Sequence, residues 1–340
     1  MNINVIGLDL AKIIFHLIGL DQHGKQVLKK KLPRAQMFAY FANLKPCTIA
    51  MEACGTSHYW ARELQKLGHH VKLLPAQHVK PFVRGNKNDY NDALGIAEAS
   101  RIPQMREVSV KTVEQQSIQA LQRFRRSAVG DRTALCNQVR GLLAEFGISL
   151  NQGVATLRKA IPEILEDAEN GLHAIFRDAL SLKYQQLCQL DDLIDDLTRA
   201  IQKEAKLHHE IKLLQSIPGY GPILSSAFYC VFGDGKGFRK GRDASAAIGV
   251  VPRQHSTGGK NVLLGISKKG DKYLRSLMVH GARSLIKHAH KKEDALSCWV
   301  TALIERRGKN KATVALANKL TRIGWAVITT GKPYEENYAV

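Results

Sequence analysis

No two of the six cysteines form a CxxC or CxxH pair; Cys47, Cys54, Cys136, Cys188, Cys230 and Cys298 are scattered singly. That spacing argues against a disulfide framework or a structural zinc and leaves reduced, mostly buried thiols as the expected state. Long apolar runs are missing too: nothing approaches the roughly 20 residues a membrane-spanning helix needs. The apolar N-terminus resembles a signal peptide only superficially, because Asp9 and Lys12 interrupt it and His16 sits inside Ile13–Leu20. A cytoplasmic location without a membrane partner is expected. Acidic residues are also scarce, with 30 Asp and Glu against 50 Lys and Arg, a net charge of +20. Such a balance points to nucleic acid or another polyanion, and it concerns partners rather than fold.

The chain has 340 residues, 44% of them hydrophobic, enough for two or three domains. Its charge is divided unevenly: residues 1–105 carry +7, residues 106–215 are neutral, and residues 216–340 carry +13. Nucleic acid is therefore expected at the two ends, with a different task for the middle.

Residues 3–10, 12–20 and 26–32 are rich in β-branched and apolar side chains, with a turn at Asp21–Gly24, and read as an antiparallel meander. A short helix over 36–44, a buried strand over Cys47–Glu52, a helix over Ser57–Leu67, a strand over Val71–Pro75 and a helix near 89–100 follow. The order β-β-β-α-β-α-β, closed by a helix, is that of a ribonuclease H-like fold. The middle reads as helical, with one helix over about 113–146, a break at Pro162, and then Leu187, Leu190, Ile194, Leu197 and Ile201 in the three-and-four spacing of a coiled-coil seam. A helical hairpin with a dimerising seam is expected. Asp191, Asp192, Asp195 and Asp196 lie within it and read as a solvated helix face, with Asp195 placed to pair with Arg199. In the last region, Ser216-Ile217-Pro218-Gly219-Tyr220-Gly221-Pro222 before an apolar helix over Ile223–Val231 resembles a helix-hairpin-helix turn. There, backbone N–H groups can approach a phosphate; a plain turn between helices is the competing reading. A loop-rich basic stretch over 249–275 follows.

Four acids carry the chemistry. Asp9 and Glu52 end apolar strand-like runs, where a carboxylate needs a partner. Asp89 and Asp92, three residues apart, share one helix face, although helix-start acids are common for other reasons. Two carboxylates about 4 Å apart repel by roughly 4 kcal/mol at an effective dielectric of 20. A converging set is therefore stable in ionised form only around cations, and hard oxygen ligands select Mg²⁺ or Mn²⁺. Such ions activate a nucleophile and stabilise a leaving oxygen at a phosphodiester. A second candidate is Ser256, a serine close to glycines with Arg253, His255 and Lys260 beside it. An ordinary exposed loop serine is the competing reading.

The ordered motifs Gly-Leu-Asp-Leu-Ala-Lys at 7–12, Met-Glu-Ala-Cys-Gly at 51–55, Asn-Lys-Asn-Asp-x-x-Asp-Ala at 86–93, Ser-Ile-Pro-Gly-x-Gly at 216–221, Gly-x-Val-Pro-Arg-Gln-His-Ser-Thr-Gly-Gly-Lys at 249–260 and Ile-Ser-Lys-Lys-Gly-Asp-x-x-Leu-Arg at 266–275 run through nearly the whole chain. With them the chain resembles the DEDD transposases of bacterial insertion sequences, the insertion-sequence 110 family and its 1111 subgroup, and the related Piv DNA invertase. The resemblance implies an α/β plus α architecture. A RuvC-like metal domain would span 1–108, a helical coiled-coil oligomerisation domain 109–212, and a mainly α C-terminal transposase domain with the helix-hairpin-helix-like turn 213–340. By position, Asp9, Glu52, Asp89 and Asp92 become the Mg²⁺ (or Mn²⁺) ligands and Ser256 the nucleophile, with Thr257 the competitor for that place. Ser256 is preferred because a primary hydroxyl is less hindered. Lys12, Arg253, Lys260, Lys268, Lys269 and Arg275 are candidate phosphate contacts.

The implied activity is recombination of the element's own DNA through a covalent phosphoserine intermediate. An element-encoded guide RNA would direct it, donor and target DNA would be its substrates, and it would work as a dimer or tetramer at the bacterial nucleoid. The rival readings are a RuvC-like nuclease or junction resolvase that uses water, and a non-catalytic nucleic-acid-binding relic.

Overall fold

A computed structural model describes residues 2–86 and 88–336. Lys87, within the Asn-Lys-Asn-Asp motif, lies outside the described residues. The chain forms two units, Met1–Val113 and Glu114–Val340.

The first unit is built on a five-stranded mixed sheet. β1 (Val5–Asp9), β2 (Ile14–Leu20) and β3 (Gln26–Pro33) form the expected antiparallel meander, while β4 (Thr48–Glu52) and β5 (His70–Leu74) add parallel to β1, giving the order β3-β2-β1-β4-β5. A 3-10 turn over Arg34–Gln36 leads into α1 (Met37–Ala42); α2 (Ser57–Lys66) and α3 (Ala76–Val79) follow β4 and β5, and α4 (Asp89–Ser100) closes the set. Side chains alternate across each strand. Ile6, Leu8, Phe15, Leu17, Ile49 and Met51 therefore face the layer of α1 and α2. Val5, Ile18, Leu20 and Ala50 face α4. Each fully buried large side chain in these layers contributes about 1.5–3 kcal/mol. Parity thus puts Asp9, His16 and Glu52 on the α4 side. Gly7 lets the helix come close: a Cβ there would run into the Ala93 carbonyl and stand 2.6 Å from the Ala97 nitrogen.

The second unit is helical apart from one hairpin. α5 (Val113–Glu145), α6 (Val154–Glu166) and α7 (Ala174–Leu207) share a core of Leu135, Val139, Leu143, Leu157, Ile161, Leu180 and Leu187. The expected break at Pro162 is wrong. Pro162 lies inside α6, and the breaks fall at 146–153 and 167–173. Packing of Leu157 and Ile161 outweighs the helix-breaking preference of one proline. The apolar seam is also used differently than expected. Leu187, Ile194 and Ile201 are buried within the protomer. Asp191 is not solvated: it is buried between Arg132 (2.7 Å) and Arg158 (3.3 Å). Asp192, Asp195 and Asp196 are exposed as expected, but Arg199 pairs with Asp196 rather than Asp195.

α8 (His209–Gln215), α9 (Pro222–Phe232), α10 (Gly241–Ala247), α11 (Lys272–Ala289), α12 (Ala295–Arg307) and α13 (Lys309–Thr330) surround a second core that includes Phe228, Phe232, Met278, Leu316 and Leu320. The turn between α8 and α9 is pinned into it. Tyr220 is buried and donates to the Leu320 carbonyl at 2.9 Å, and Gly219 (φ 84°) lies so close to α11 that a Cβ would stand 2.9 Å from the Gly281 oxygen. Part of the Pro-Gly-x-Gly signature is therefore a packing requirement. The basic loop contains a β-hairpin, β6 (Pro252–Gln254) against β7 (Leu263–Ile266). All six cysteines are free, but only Cys136 and Cys230 are buried, so the expectation of mostly buried thiols fails; Cys54 and Cys298 are exposed. Among the described residues, no helix is long and apolar enough to cross a membrane.

Candidate metal centre and serine hairpin

β1 ends on Asp9, and α4 begins beside it. Asn88 caps that helix, its side chain accepting from the Tyr90 N–H at 2.9 Å, so Asp89 and Asp92 both fall in the first turn. A helix N-terminus stabilises acids there. The Gly7 approach then brings the two elements together: one ligand oxygen from each of Asp9, Asp89 and Asp92 lies within 4.8 Å of the others. Glu52, at the end of the neighbouring β4, stands outside that trio but within its electrostatic reach.

The electrostatics are those of crowded acids. Burial, followed by the charges of Asp92, Asp89 and Glu52, pushes the Asp9 carboxyl up to about 6. Burial and then Asp92 raise Glu52 as well. Among the described residues, no lysine or arginine forms an ion pair with Asp9, Glu52, Asp89 or Asp92. The donor set is all carboxylate, which suits a hard divalent cation that would relieve this repulsion. The four acids named from the sequence thus lie at one end of one sheet and one helix.

His16 is a residue that the sequence reading passed over. It is the ladder partner of Asp9, shares its face, and its Nδ1 stands 3.4 Å from the Asp89 Oδ2. Its ring meets Tyr90 edge-on at 4.7 Å between centroids. The imidazole nitrogen makes no well-aligned hydrogen bond, so the contact with Asp89 is electrostatic and depends on protonation. Counting the register back from the turn between β1 and β2 could have found it.

Ser256 belongs to the second unit. Gly258 (φ 52°) and Gly259 (φ 76°) make the turn between Thr257 and Lys260, whose backbones exchange hydrogen bonds. Two successive positive φ values are those of a type I′ hairpin turn, and the Gly-Gly pair was its sequence signal. Ser256 and Thr257 therefore stand just before an exposed hairpin tip, and the Ser256 Oγ accepts from Gln254 Nε2 at 2.9 Å. Arg253, His255 and Lys260 are exposed around it. Lys268 and Lys269 are exposed beyond β7, where Lys268 adopts φ 54° and its N–H donates to the Gly249 carbonyl. Arg275 is more committed, donating through Nη1 to the Ile248 and Lys269 carbonyls at 2.8 and 3.0 Å. Lys12 is exposed in the first unit, beside Arg34 and Trp60.

The chain is similar to known transposases. A DEDD-type family model described as "Transposase" matches residues 6–148, and one described as "Transposase IS116/IS110/IS902 family" matches residues 211–297. The chain is 46% identical to the probable family 20 transposase of Pseudomonas aeruginosa over 97% of its own length and 98% of the relative's. It is 44% identical to the transposase for insertion sequence element IS1111A of Coxiella burnetii, covering 98% of this chain and 92% of that protein. Identity to the transposase for insertion sequence element IS1328 of Yersinia enterocolitica is 39%, over 98% and 99% of the two chains.

Proposed function

The chain belongs to the IS110 family of transposases, DNA-processing enzymes whose DEDD domain implies a RuvC-like fold and divalent-metal dependence, and we propose that it moves its own insertion sequence by serine-based, RNA-guided recombination. The observation that carries the reading is the convergence of Asp9, Asp89 and Asp92, with Glu52 within electrostatic reach.

Asp9, Glu52, Asp89 and Asp92 would hold Mg²⁺ or Mn²⁺. A divalent ion there supplies charge stabilisation at a phosphodiester and lowers the cost of generating an alkoxide. Ser256, exposed before the Gly258-Gly259 hairpin turn, attacks phosphorus. Its Oγ–P bond forms as the P–O3′ bond breaks, and the serine proton ends on the departing 3′ oxygen. Arg253, Lys260, Lys268 and Lys269 neutralise phosphates around it, Lys12 does so in the first unit, and Arg275 chiefly braces the loop that carries Lys269. A guide RNA chooses donor and target DNA. An oligomer brings one protomer's carboxylates to another's hairpin, and strands exchange through a Holliday junction. The division into a metal domain (1–108), a helical domain (109–212) and a C-terminal domain (213–340) is part of this proposal.

The test is a denaturation-resistant protein–DNA adduct. Wild type and Thr257→Ala form it and Ser256→Ala does not. An adduct that survives Ser256→Ala moves the nucleophile elsewhere, and cleavage without any adduct replaces recombination by hydrolysis. Sequencing the nucleic acid that co-purifies with the protein tests the RNA: the proposal expects a short transcript from the element's own flanks.

A further inference from the structure

The strand end that carries Asp9 has a second side. Past Asp9 the chain turns through Leu10–Ile13 before β2. Beside that turn lies an open groove of about 570 Å³, lined by Lys12, Ile13, Pro33, Arg34, Tyr59 and Trp60. Trp60 belongs to the α1/α2 layer of the sheet, whereas Asp9 lies on the α4 side.

The lining is aromatic and cationic, and no acid contributes to it. Tyr59 is 47% exposed and Ile13 73% exposed, although both stand beside a well-formed core. The Arg34 guanidinium lies over Trp60 at 5.3 Å and over Phe15 at 6.0 Å, and Tyr59 meets Trp60 edge-on at 5.2 Å. Among the described residues, neither Arg34 nor Lys12 has a carboxylate partner. The indole N–H of Trp60 is buried without an acceptor, an unusual state for a tryptophan. An apolar peptide would leave both cations unmatched. Bases need rings to stack on and phosphates need cations, which is the combination that holds single-stranded nucleic acid.

Lys12 follows Asp9 by three residues, so their Cα atoms are at most about 10 Å apart. At about 3.4 Å of rise per nucleotide, Lys12 at the rim of the groove is within roughly three nucleotides of a phosphate held at the carboxylates. We propose that this groove holds an unpaired nucleotide of the DNA strand being cut, its base stacked on Tyr59 and its phosphate met by Lys12 and Arg34. The inference rests on the transposase reading of the neighbouring carboxylates. It adds that the duplex opens beside the cleavage point.

Binding without cleavage separates the two. Full-length protein in EDTA is titrated with a 12-nucleotide single-stranded DNA, a blunt 20-base-pair duplex, and an RNA strand of the single strand's sequence, each fluorescently labelled. Tyr59→Ala is expected to weaken single-stranded DNA binding by roughly 5- to 150-fold, the range for losing one stacked base, and to leave duplex binding within about twofold. Tyr59→Phe, which keeps the ring, retains wild-type affinity and controls for folding. With 2-aminopurine in the single strand, wild type and Tyr59→Phe quench its emission and Tyr59→Ala does not. Unchanged single-strand binding in Tyr59→Ala, an equal loss on duplex, or preferential loss on the RNA strand would each overturn the assignment. Loss of cleavage by Asp9→Asn alongside any of these results would leave the metal-centre reading standing while the groove assignment falls.

Discussion

Asp9 and His16 face each other across the β1–β2 ladder, and His16 reaches past its partner to within 3.4 Å of the Asp89 carboxylate. One imidazole thus stands between an acid at the end of a strand and an acid at the start of a helix, two elements packed together through Val5, Gly7, Ala93 and Ala97. If it positions those acids, its loss acts on the ions they would hold.

His16→Gln is therefore expected to act through metal affinity. Groups that orient metal ligands typically cost 10–100-fold in affinity or activity when removed. The Mn²⁺ concentration for half-maximal DNA cleavage should rise by about that range, with the rate at saturating metal much less affected. An unchanged metal requirement would mean that His16 only fills space.

Asp9 gives a pH signature. Its folded pKa, about 6, lies above the ordinary carboxylate value of 3.8, so ionising it costs more in the folded than in the unfolded chain. Without metal, stability is therefore lost as pH rises from about 4 to about 6 and stays lost above. A two-unit shift corresponds to about 3 kcal/mol at most, reduced to about 1–2 because the group is partly solvated. In EDTA, Asp9→Asn should melt a few degrees above wild type at pH 7.5 and lose that advantage near pH 4. Saturating Mg²⁺ should erase the difference at pH 7.5 by stabilising only the wild type.

Asp191 illustrates the opposite fate for a clustered acid. Held between Arg132 and Arg158 and 8% exposed, it is a structural ion pair joining α5, α6 and α7. Asp191→Ala leaves two partly exposed guanidinium groups without their counter-ion and should cost about 1–3 kcal/mol in denaturant unfolding. Asp192→Ala, on the exposed side, should stay within about 0.5 kcal/mol. Neither should alter the metal requirement.

The sequence carries the first unit almost residue by residue, because alternation, the turn at Asp21–Gly24 and the caps all act locally. Asp9 and Glu52 are legible for a related reason, since each carboxylate ends an apolar run where it needs a partner. Asp89 and Asp92 are legible only as a pair on one helix face. What stays hidden depends on long-range pairing. His16 gains its meaning from cross-strand register, Asp191 from arginines 59 and 33 residues away, and Pro162 from the burial of Leu157 and Ile161 beside it. The hairpin under Ser256 is different. Its Gly-Gly turn is local and readable, but the surrounding basic residues direct attention to charge rather than to strand pairing.

The same long-range pairing decides which surface is free for a second copy of the chain. Leu187, Ile194 and Ile201 are consumed inside the protomer, which removes the expected seam. On a separate face of α7, roughly 115° round the helix from that buried row, Ile175, Leu182, Leu193 and Leu207 are 75%, 65%, 47% and 69% exposed. Their spacings of 7, 11 and 14 residues keep them within about one narrow stripe at 100° per residue. If this stripe is where protomers meet, Leu182→Glu with Leu193→Glu should shift the protein to a smaller species in sedimentation without lowering its melting temperature. Ile194→Ala should instead cost about 2–5 kcal/mol of protomer stability, because it empties a packed core. Retention of the wild-type assembly by the double variant would place the contact between copies elsewhere. A melting temperature lowered by the double variant would show that the stripe packs within one chain.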